Sequence, residues 1–258
     1  MATKVFGKKL PLSPARKLVT EMLHHASLVP SIPVSRHMNL ARLAAARSAT
    51  TNAPAWTSLF IRAYGIVAQQ IPELRRAYIP WPWPHLYEHP FSVAALAIER
   101  EVAAEAVVLA AKITDPSQMK AAEIQQRISY LKNTPVQQIG DFRQLLLIGA
   151  LPGFLRRFIF WQSLYLSGAK RAKRFGTCMV STYGSLGAEQ VHPITPLTTL
   201  LTFGPIQANG DVVVKIIYDH RVMDGRTVAK ALAELQTTLD TTLVSELKAE
   251  QPAAKLAA

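Results

Sequence analysis

The sequence has almost no cysteine, no long apolar run and no secretory pattern at its N-terminal residues. Cys178 is the only cysteine among 258 residues, so an intramolecular disulfide cannot form and nothing indicates an oxidising compartment. No uninterrupted apolar stretch reaches the roughly 18 residues that a transmembrane helix needs. The N-terminal lysines are followed by Leu-Pro-Leu-Ser-Pro rather than by an apolar core, which argues against a signal peptide. These absences favour the cytoplasm.

Negative charge is missing from one long segment. No acidic residue occurs between Asp141 and Glu189, and the net charge of the whole chain is +12. The cations of this segment are Arg143, Arg156, Arg157, Lys170, Arg171, Lys173 and Arg174. Such a surface attracts the phosphates of nucleic acid, anionic lipid or coenzyme A, although it could also be a solvated basic face. The absence of a helix-turn-helix, zinc-finger or RNA-recognition pattern disfavours nucleic acid.

The remaining composition is typical of one globular domain. Hydrophobic residues make up 49% of the chain and charged residues 18%, which is enough for a large core. We expect one domain over 13–247, with flexible tails at 1–12 and 248–258 that are rich in lysine, alanine and proline. The histidines show no metal-ligand spacing, so no metal is expected.

Apolar periodicity predicts helices that alternate with strands. Helices are expected at 13–26, 56–70, 115–132 and 226–247, with two short ones within 142–167. Strands are expected at 91–99, 106–113, 177–182, 198–203 and 212–218, residues 31–39 are extended, and the prolines of 80–85 require an extended loop. This irregular alternation predicts an α/β fold of α+β type, in which helices pack on a mixed sheet.

The segment Tyr218-Asp219-His220-Arg221-Val222-Met223-Asp224-Gly225 carries the strongest chemical signal. It lies where the predicted strand 212–218 ends and the last helix begins. A histidine at such a junction can be held rigidly while facing a channel, and its unperturbed pKa of about 6.5 suits proton transfer near neutrality. Spacing alone leaves a structural role open, because a single histidine is more often structural than catalytic.

This segment resembles the signature of the catalytic domain of 2-oxo-acid dehydrogenase acyltransferases, the dihydrolipoamide acyltransferases. It also fits the looser His-x-x-x-Asp-Gly pattern of chloramphenicol acetyltransferase. A second segment, Gly176-Thr177-Cys178-Met179-Val180-Ser181-Thr182-Tyr183-Gly184-Ser185-Leu186-Gly187, is similar to the strand and glycine turn that hold the family's serine. The likeness extends over roughly 14–245 but is specific only between about 175 and 235.

The resemblance implies a chloramphenicol acetyltransferase-like fold and a mechanism. His220 would be the general base, and the Ser181 hydroxyl would donate a hydrogen bond to the oxyanion formed from a thioester carbonyl. Thr182 and Ser185 are the alternates for Ser181 if the correspondence slips. Asp224, before Gly225 in the turn, would hold the histidine loop through an ion pair for which Arg16 is the candidate partner.

The family also implies partners and an assembly. Its members form trimers, alone or in larger assemblies, with the histidine and the serine of one site on different subunits. Full-length members carry lipoyl domains, and this sequence begins almost at the catalytic domain. We therefore expect a stand-alone enzyme without covalently bound lipoate that takes its acyl group from coenzyme A or a carrier protein. The acyl chain and the acceptor stay open.

The segment 142–174 departs from the family pattern, because it is unusually apolar and basic. One interpretation is an interfacial surface on an anionic membrane, which would place the protein at the inner face of that membrane. The other is burial in the trimer contact, with the cations near the phosphates of coenzyme A. A non-catalytic trimeric scaffold is the remaining alternative to an enzyme, and the combined histidine, serine and aspartate set argues against it.

Overall fold

The chain folds into helices packed on a mixed sheet. The computed structural model describes residues 7–250, apart from the side chain of Ser185. The helices in this part are α1 (Pro14–Ala26), α2 (Ala41–Ser48), α3 (Trp56–Gln70), α4 (Ala121–Asn133), α5 (Gly140–Ala150), α6 (Gly153–Tyr165), α7 (Gly168–Phe175), α8 (Gly225–Thr238) and α9 (Val244–Ala249). The strands are β1 (Ser31–Asn39), β2 (Arg76–Ile79), β3 (His85–Glu88), β4 (Val93–Val102), β5 (Glu105–Thr114), β6 (Cys178–Val180), β7 (Thr199–Phe203) and β8 (Asp211–Asp219).

Six of these strands form one sheet in the order β1-β8-β7-β6-β4-β5, and β2 and β3 form a separate hairpin. Strand β6 runs parallel to β4 and β7, whereas β8 is antiparallel to β7 and β1. The β4–β5 pair is an antiparallel hairpin at the sheet edge. This mixed sheet with packed helices confirms the predicted fold class.

The two faces of the sheet are filled differently. On one face large aliphatic side chains, such as Leu96 and Ile98 of β4, join the main core with α3, α4 and α8. On the other face β4 presents Ala95 and Ala97, since side chains alternate along a strand. Two small apolar clusters occupy this second side, one around Leu200 and one around Phe160. The second face is therefore less completely filled than the first.

Several predicted elements are found with nearly the predicted bounds. Helix α1 is capped by Ser13, whose Oγ accepts a hydrogen bond from the backbone N–H of Arg16 at 3.1 Å, and Pro14 opens it. Helix α3 has the predicted bounds, because its apolar spacing is regular and Pro72 lies two residues after its end. The apolar spacing of the last helix continues from α8 through a π-helical turn at Leu239–Leu243 into α9.

The predicted start of a helix at Asp115 is wrong. Asp115 has a φ of +48°, outside the helical region, and its N–H donates to Ser92 O at 2.9 Å. Pro116 and Ser117 lie against Gly65 of α3, where a Cβ atom would stand only 2.8 Å away. Residues 115–120 therefore form a turn on α3, and α4 begins at Ala121 after Lys120.

The segment 142–174 contains more helix than predicted. Helices α5 and α6 correspond to the two predicted short helices, and a third helix, α7, follows from Gly168 to Phe175. Ser167 caps α7, and Arg171 on α7 is buried. Of the predicted tails, 1–6 and 251–258 lie outside the described residues. None of the helices within 7–250 is both long and apolar enough to cross a membrane.

Candidate active site

His220 follows β8 and is fixed by two backbone carbonyls. Its N–H donates to Pro30 O at 3.1 Å, and its ring Nδ1 lies 3.1 Å from Met223 O. A carbonyl oxygen can only accept, so Nδ1 carries the hydrogen of this bond. The neutral ring then has its lone pair on Nε2, and the side chain is 43% exposed. His220 can therefore accept a proton from a ligand that approaches Nε2.

The carboxylate that holds this loop is Asp219. Its side chain is fully buried and accepts two hydrogen bonds from the guanidinium of Arg221, at 2.9 and 2.8 Å, and one from the Arg221 N–H at 3.0 Å. Arg221 in turn lies over the ring of Tyr78, 4.7 Å from its centroid. A bidentate pair of this kind fixes both side chains. The sequence indicated only that Asp219 and Arg221 flank the fold.

A second, buried arginine lies near this pair. Arg171 of α7 donates to Tyr78 O at 3.1 Å and to Pro196 O at 2.7 Å, and Asp219 attracts its charge. Burial lowers the pKa of Arg171 to about 10, although the attraction of Asp219 works in the opposite direction. Asp219 thus balances two arginines at the base of the histidine loop. No local signal marks Arg171, because its place depends on contacts with distant segments.

Asp224 and Arg16 do not meet within the chain. The Asp224 side chain is 86% exposed, and Oδ1 lies 3.7 Å from Nδ1 of His220. Arg16 instead lies 3.9 Å from Glu105, with both side chains partly exposed. The expected ion pair is thus replaced by the Asp219–Arg221 pair as the anchor of the loop. Gly225 begins α8, and a Cβ there would lie 3.3 Å from the Tyr218 hydroxyl, so glycine lets this ring pack beside His220.

Ser181 lies just beyond β6, and its hydroxyl is oriented by Gln190. The Ser181 N–H donates to Leu201 O at 3.2 Å, which continues the strand pairing. The Gln190 side-chain amide donates to Ser181 Oγ at 3.4 Å, while its Oε1 accepts from the Thr202 hydroxyl at 3.2 Å. Because Ser181 Oγ accepts this hydrogen bond, its own hydroxyl hydrogen is free to donate elsewhere. Gln190 carries no motif signal, and sequence reasoning missed it.

The alternates to Ser181 differ from it. The Thr182 hydroxyl donates to Phe203 O at 2.8 Å and accepts from the Gly184 N–H at 3.2 Å, so its hydrogen is already used by the backbone. Ser185 lies in the short 3-10 turn Gly184–Leu186. Between Ser181 and Thr182, only Ser181 has a hydroxyl hydrogen available for a ligand.

The sheet keeps Ser181 and His220 apart within one chain. Val180, the residue before Ser181, pairs with Leu201, which lies opposite Ile216 of β8, four residues before His220. At about 3.3 Å per residue this is roughly 13 Å along the strand, and two strand spacings of about 4.8 Å separate β6 from β8. A site that uses both side chains on one substrate therefore needs more than one copy of the chain.

Other candidate groups are accounted for by packing. Cys178 is completely buried, and burial raises its pKa to about 12, so its thiol stays protonated near neutrality. Among the residues that the structure describes, no group of three or more His, Cys, Asp or Glu side chains could hold a metal ion.

Comparison with solved structures identifies the fold. The chain is similar to a probable dihydrolipoamide acetyltransferase from Listeria monocytogenes (16% identity, 96% of this chain and 97% of that chain, TM-score 0.63). It is also similar to dihydrolipoamide acetyltransferase from Azotobacter vinelandii (16%, 92% and 93%, 0.67) and to a chloramphenicol acetyltransferase (13%, 89% and 96%, 0.50). No protein-family model and no curated protein matches the sequence. The fold is thus that of these acyltransferases, which confirms the predicted resemblance at the level of structure.

Proposed function

We propose that the protein transfers an acyl group from the thioester of coenzyme A, or of a carrier protein, to a nucleophilic acceptor, with His220 as general base. The observation that carries the proposal is the bond between Nδ1 of His220 and Met223 O, which places the lone pair on Nε2. Nε2 removes the proton from the acceptor's thiol, hydroxyl or amine while that atom attacks the carbonyl carbon. The carbon–sulfur bond then breaks, and the departing thiolate takes the proton from the imidazolium.

Ser181 is the donor to the oxyanion in this proposal. The hydroxyl hydrogen left free by the Gln190 contact points to this role, because negative charge develops on the carbonyl oxygen only during attack. Asp224 is a positioning residue in this proposal, with its Oδ1 3.7 Å from Nδ1 of His220.

The complete site requires neighbouring subunits. Ser181 and His220 lie at different places along the sheet of one chain, which supports an arrangement in which each subunit supplies one of them to a shared site. A homotrimer, as implied by the resemblance, provides three equivalent sites. A serine, a histidine and an asparagine four residues after the histidine are the subject of the mechanistic work on the Azotobacter vinelandii enzyme. His220 and Asp224 have that same spacing.

Turnover of acyl-coenzyme A tests the mechanism. With dihydrolipoamide as the acceptor, loss of acetyl- and octanoyl-coenzyme A is followed by liquid chromatography for the wild type and for H220A, S181A and H85A. We expect H220A to reduce kcat by about 10²–10⁴ and S181A by about 10²–10³. H85A is the matched control, because His85 is an exposed histidine of β3. Equal turnover by H220A and the wild type would refute the mechanism, and a trimer that neither transfers nor hydrolyses either acyl group would favour the scaffold.

A second candidate function, attachment to an anionic membrane, is favoured by an aromatic patch. This patch consists of Trp81, Trp83, Phe154, Phe158 and Trp161, and the exposed fractions of Trp83 and Phe154 are 79% and 74%. Trp161 joins its two parts, with its ring 6.3 Å from both Trp81 and Phe158. The exposed Lys170 and Lys173 lie on the next helix, in the segment without acidic residues. Exposed aromatic and basic side chains together suit a surface of acidic phospholipid.

Flotation with vesicles tests the membrane attachment. Vesicles with about a third phosphatidylglycerol should carry the protein upward, and vesicles of phosphatidylcholine alone should carry much less, because each lysine near an anionic surface contributes about 1 kcal/mol. F154S/F158S and K170Q/K173Q should each reduce flotation, while K230Q, an exposed lysine of α8, should not. Unchanged flotation in both double variants, or none in the wild type, rules out this surface.

A further inference from the structure

An apolar cavity of about 330 Å³ lies between the second face of the sheet and the helices that cover it. Helices α1, α5, α6 and α7 form one side of the cavity, and strands β4 to β7 form the other. Ser181 is part of its wall, together with Met179 and Leu200 of the neighbouring strands. The cavity therefore borders the hydroxyl that we assign to the oxyanion.

The cavity exists because small side chains line the sheet at this place. Ala97 of β4 and Ala110 of β5 lie opposite each other in the hairpin, and both face the cavity. The residues next to them in the chain, Leu96 and Leu109, point to the other face and fill the main core. Alanine at two paired positions leaves the space that larger side chains would occupy. The apolar clusters around Leu200 and Phe160 share only the partly buried side chains of Met22 and Phe175.

The chemistry of the walls fits an aliphatic ligand. Leu18, Met22, Leu145, Ile148 and Phe160 line the helical side. The Arg174 guanidinium bonds the Ser163 hydroxyl, and the Lys112 ammonium bonds Asp141 at 2.7 Å, so several of the polar groups at the walls already have partners. Apolar side chains therefore provide most of the wall that a ligand would contact.

The size of the cavity separates the possible acyl groups. An apolar cavity of about 150 Å³ already accommodates benzene, and small-molecule sites occupy about 300–1,000 Å³. The single methyl group of an acetyl thioester would leave most of a space of about 330 Å³ unfilled. A chain of several methylenes would fill it. The acyl chain would enter the cavity beside Ser181, because the carbonyl carbon carries both the oxygen that Ser181 binds and the acyl chain.

We propose that this cavity binds the acyl chain of the thioester, and that the substrates are thioesters of apolar acyl groups several carbons longer than acetyl. The inference rests on the proposed function, since Ser181 locates the carbonyl. Each methylene that enters the cavity strengthens binding about fourfold.

Binding and turnover are measured separately. Isothermal titration of the wild type with S-ethyl- and S-hexyl-coenzyme A, thioethers that cannot react, should give at least tenfold tighter binding of the hexyl compound. The ratio of kcat/KM for hexanoyl- to acetyl-coenzyme A should also exceed ten. A97L and A110L place a larger side chain in the cavity and should reduce both ratios at least tenfold. A45L, which adds the same side chain to an exposed position of α2, is the matched control and should leave both ratios unchanged.

Each outcome separates the two proposals. Suppose that the wild type binds S-hexyl-coenzyme A more tightly, that A97L and A110L lose this preference, and yet that the wild type shows no turnover. That result would retain the acyl cavity and refute the proposed chemistry. Turnover with an acetyl preference, or equal binding of the two thioethers, retains at most the chemistry and overturns the cavity assignment. Thermal unfolding of A97L and A110L checks their folding, and a filled cavity should leave the melting temperature unchanged or raise it.

Discussion

Replacement of Asp219 by asparagine should destabilise the fold far more than replacement of Asp224. D219N keeps the side-chain shape but removes the negative charge between Arg171 and Arg221. It also turns an oxygen that accepts from Arg221 into an amide donor. Arg221 is 31% exposed and can turn toward water, whereas Arg171 is buried and cannot. Breaking a buried pair at one end costs about 3–5 kcal/mol, and the freedom of Arg221 points to the lower limit, about 3 kcal/mol.

Urea and thermal unfolding, followed by circular dichroism, measure this loss. For a domain of this size, about 3 kcal/mol corresponds to a decrease of roughly 6–12 °C in Tm. D224N is the matched control, because Asp224 is exposed and an exposed ion pair contributes less than about 1 kcal/mol. Both variants are compared at several protein concentrations, so that dissociation of an oligomer is seen as a concentration dependence.

A double variant tests the physical reason. If the cost of D219N comes from leaving Arg171 buried without a counter-charge, then D219N/R171M should be less destabilised than the sum of the two single variants. Additive losses would contradict the charge balance at the base of the loop. A larger loss in D224N than in D219N would also refute it, and would restore Asp224 as the anchor that the sequence pattern suggested.

Two further predictions concern Gln190 and His25. Q190A removes the amide that orients the Ser181 hydroxyl, so kcat should fall about tenfold while KM changes less. An equal loss of kcat in S181A and in S181A/Q190A would show that Gln190 acts through the serine. Burial lowers the pKa of His25 from 6.5 to about 4, so between these values the unfolded chain binds a proton that the folded chain does not. Stability should therefore be complete above pH 6.5 and decrease by at most about 3 kcal/mol as the pH falls to about 4. Urea unfolding should show this slope weakened in H25Q and unchanged in H85Q, whose histidine is exposed.

Elements with dense local signals could be predicted from the sequence. Helix α3 has apolar residues at regular helical spacing and a proline two residues after its end, so the predicted bounds agree with the structure. Strand β8 alternates toward the core and leads into a distinctive eight-residue segment. Because these patterns lie within one stretch of chain, no knowledge of distant contacts is needed to interpret them.

The parts that could not be predicted have weak local patterns or depend on distant contacts. The β2–β3 hairpin consists of two four-residue strands, too short for an alternation signal, around the proline-rich loop. The position of Gln190 beside Ser181 results from the path of the loop between β6 and β7. Aspartate is a common helix cap, which is why the sequence predicts a helix that starts at Asp115. The contact of Pro116 and Ser117 with Gly65 favours a turn instead. For Asp115 the deciding partner is far away in sequence, whereas the hairpin and Gln190 lack a local pattern strong enough to be interpreted.

Helix α6, within the unusual segment 142–174, has two distinct faces. Phe154, Phe158 and Trp161 recur at helical spacing and lie on the outer face. Phe160 and Ser163, on the other face, line the cavity beside the sheet. Core packing needs only the inner face to be apolar, so the exposed aromatic side chains require a second explanation. The vesicle experiment and the acyl-chain series therefore examine opposite sides of one helix, and each can fail without affecting the other.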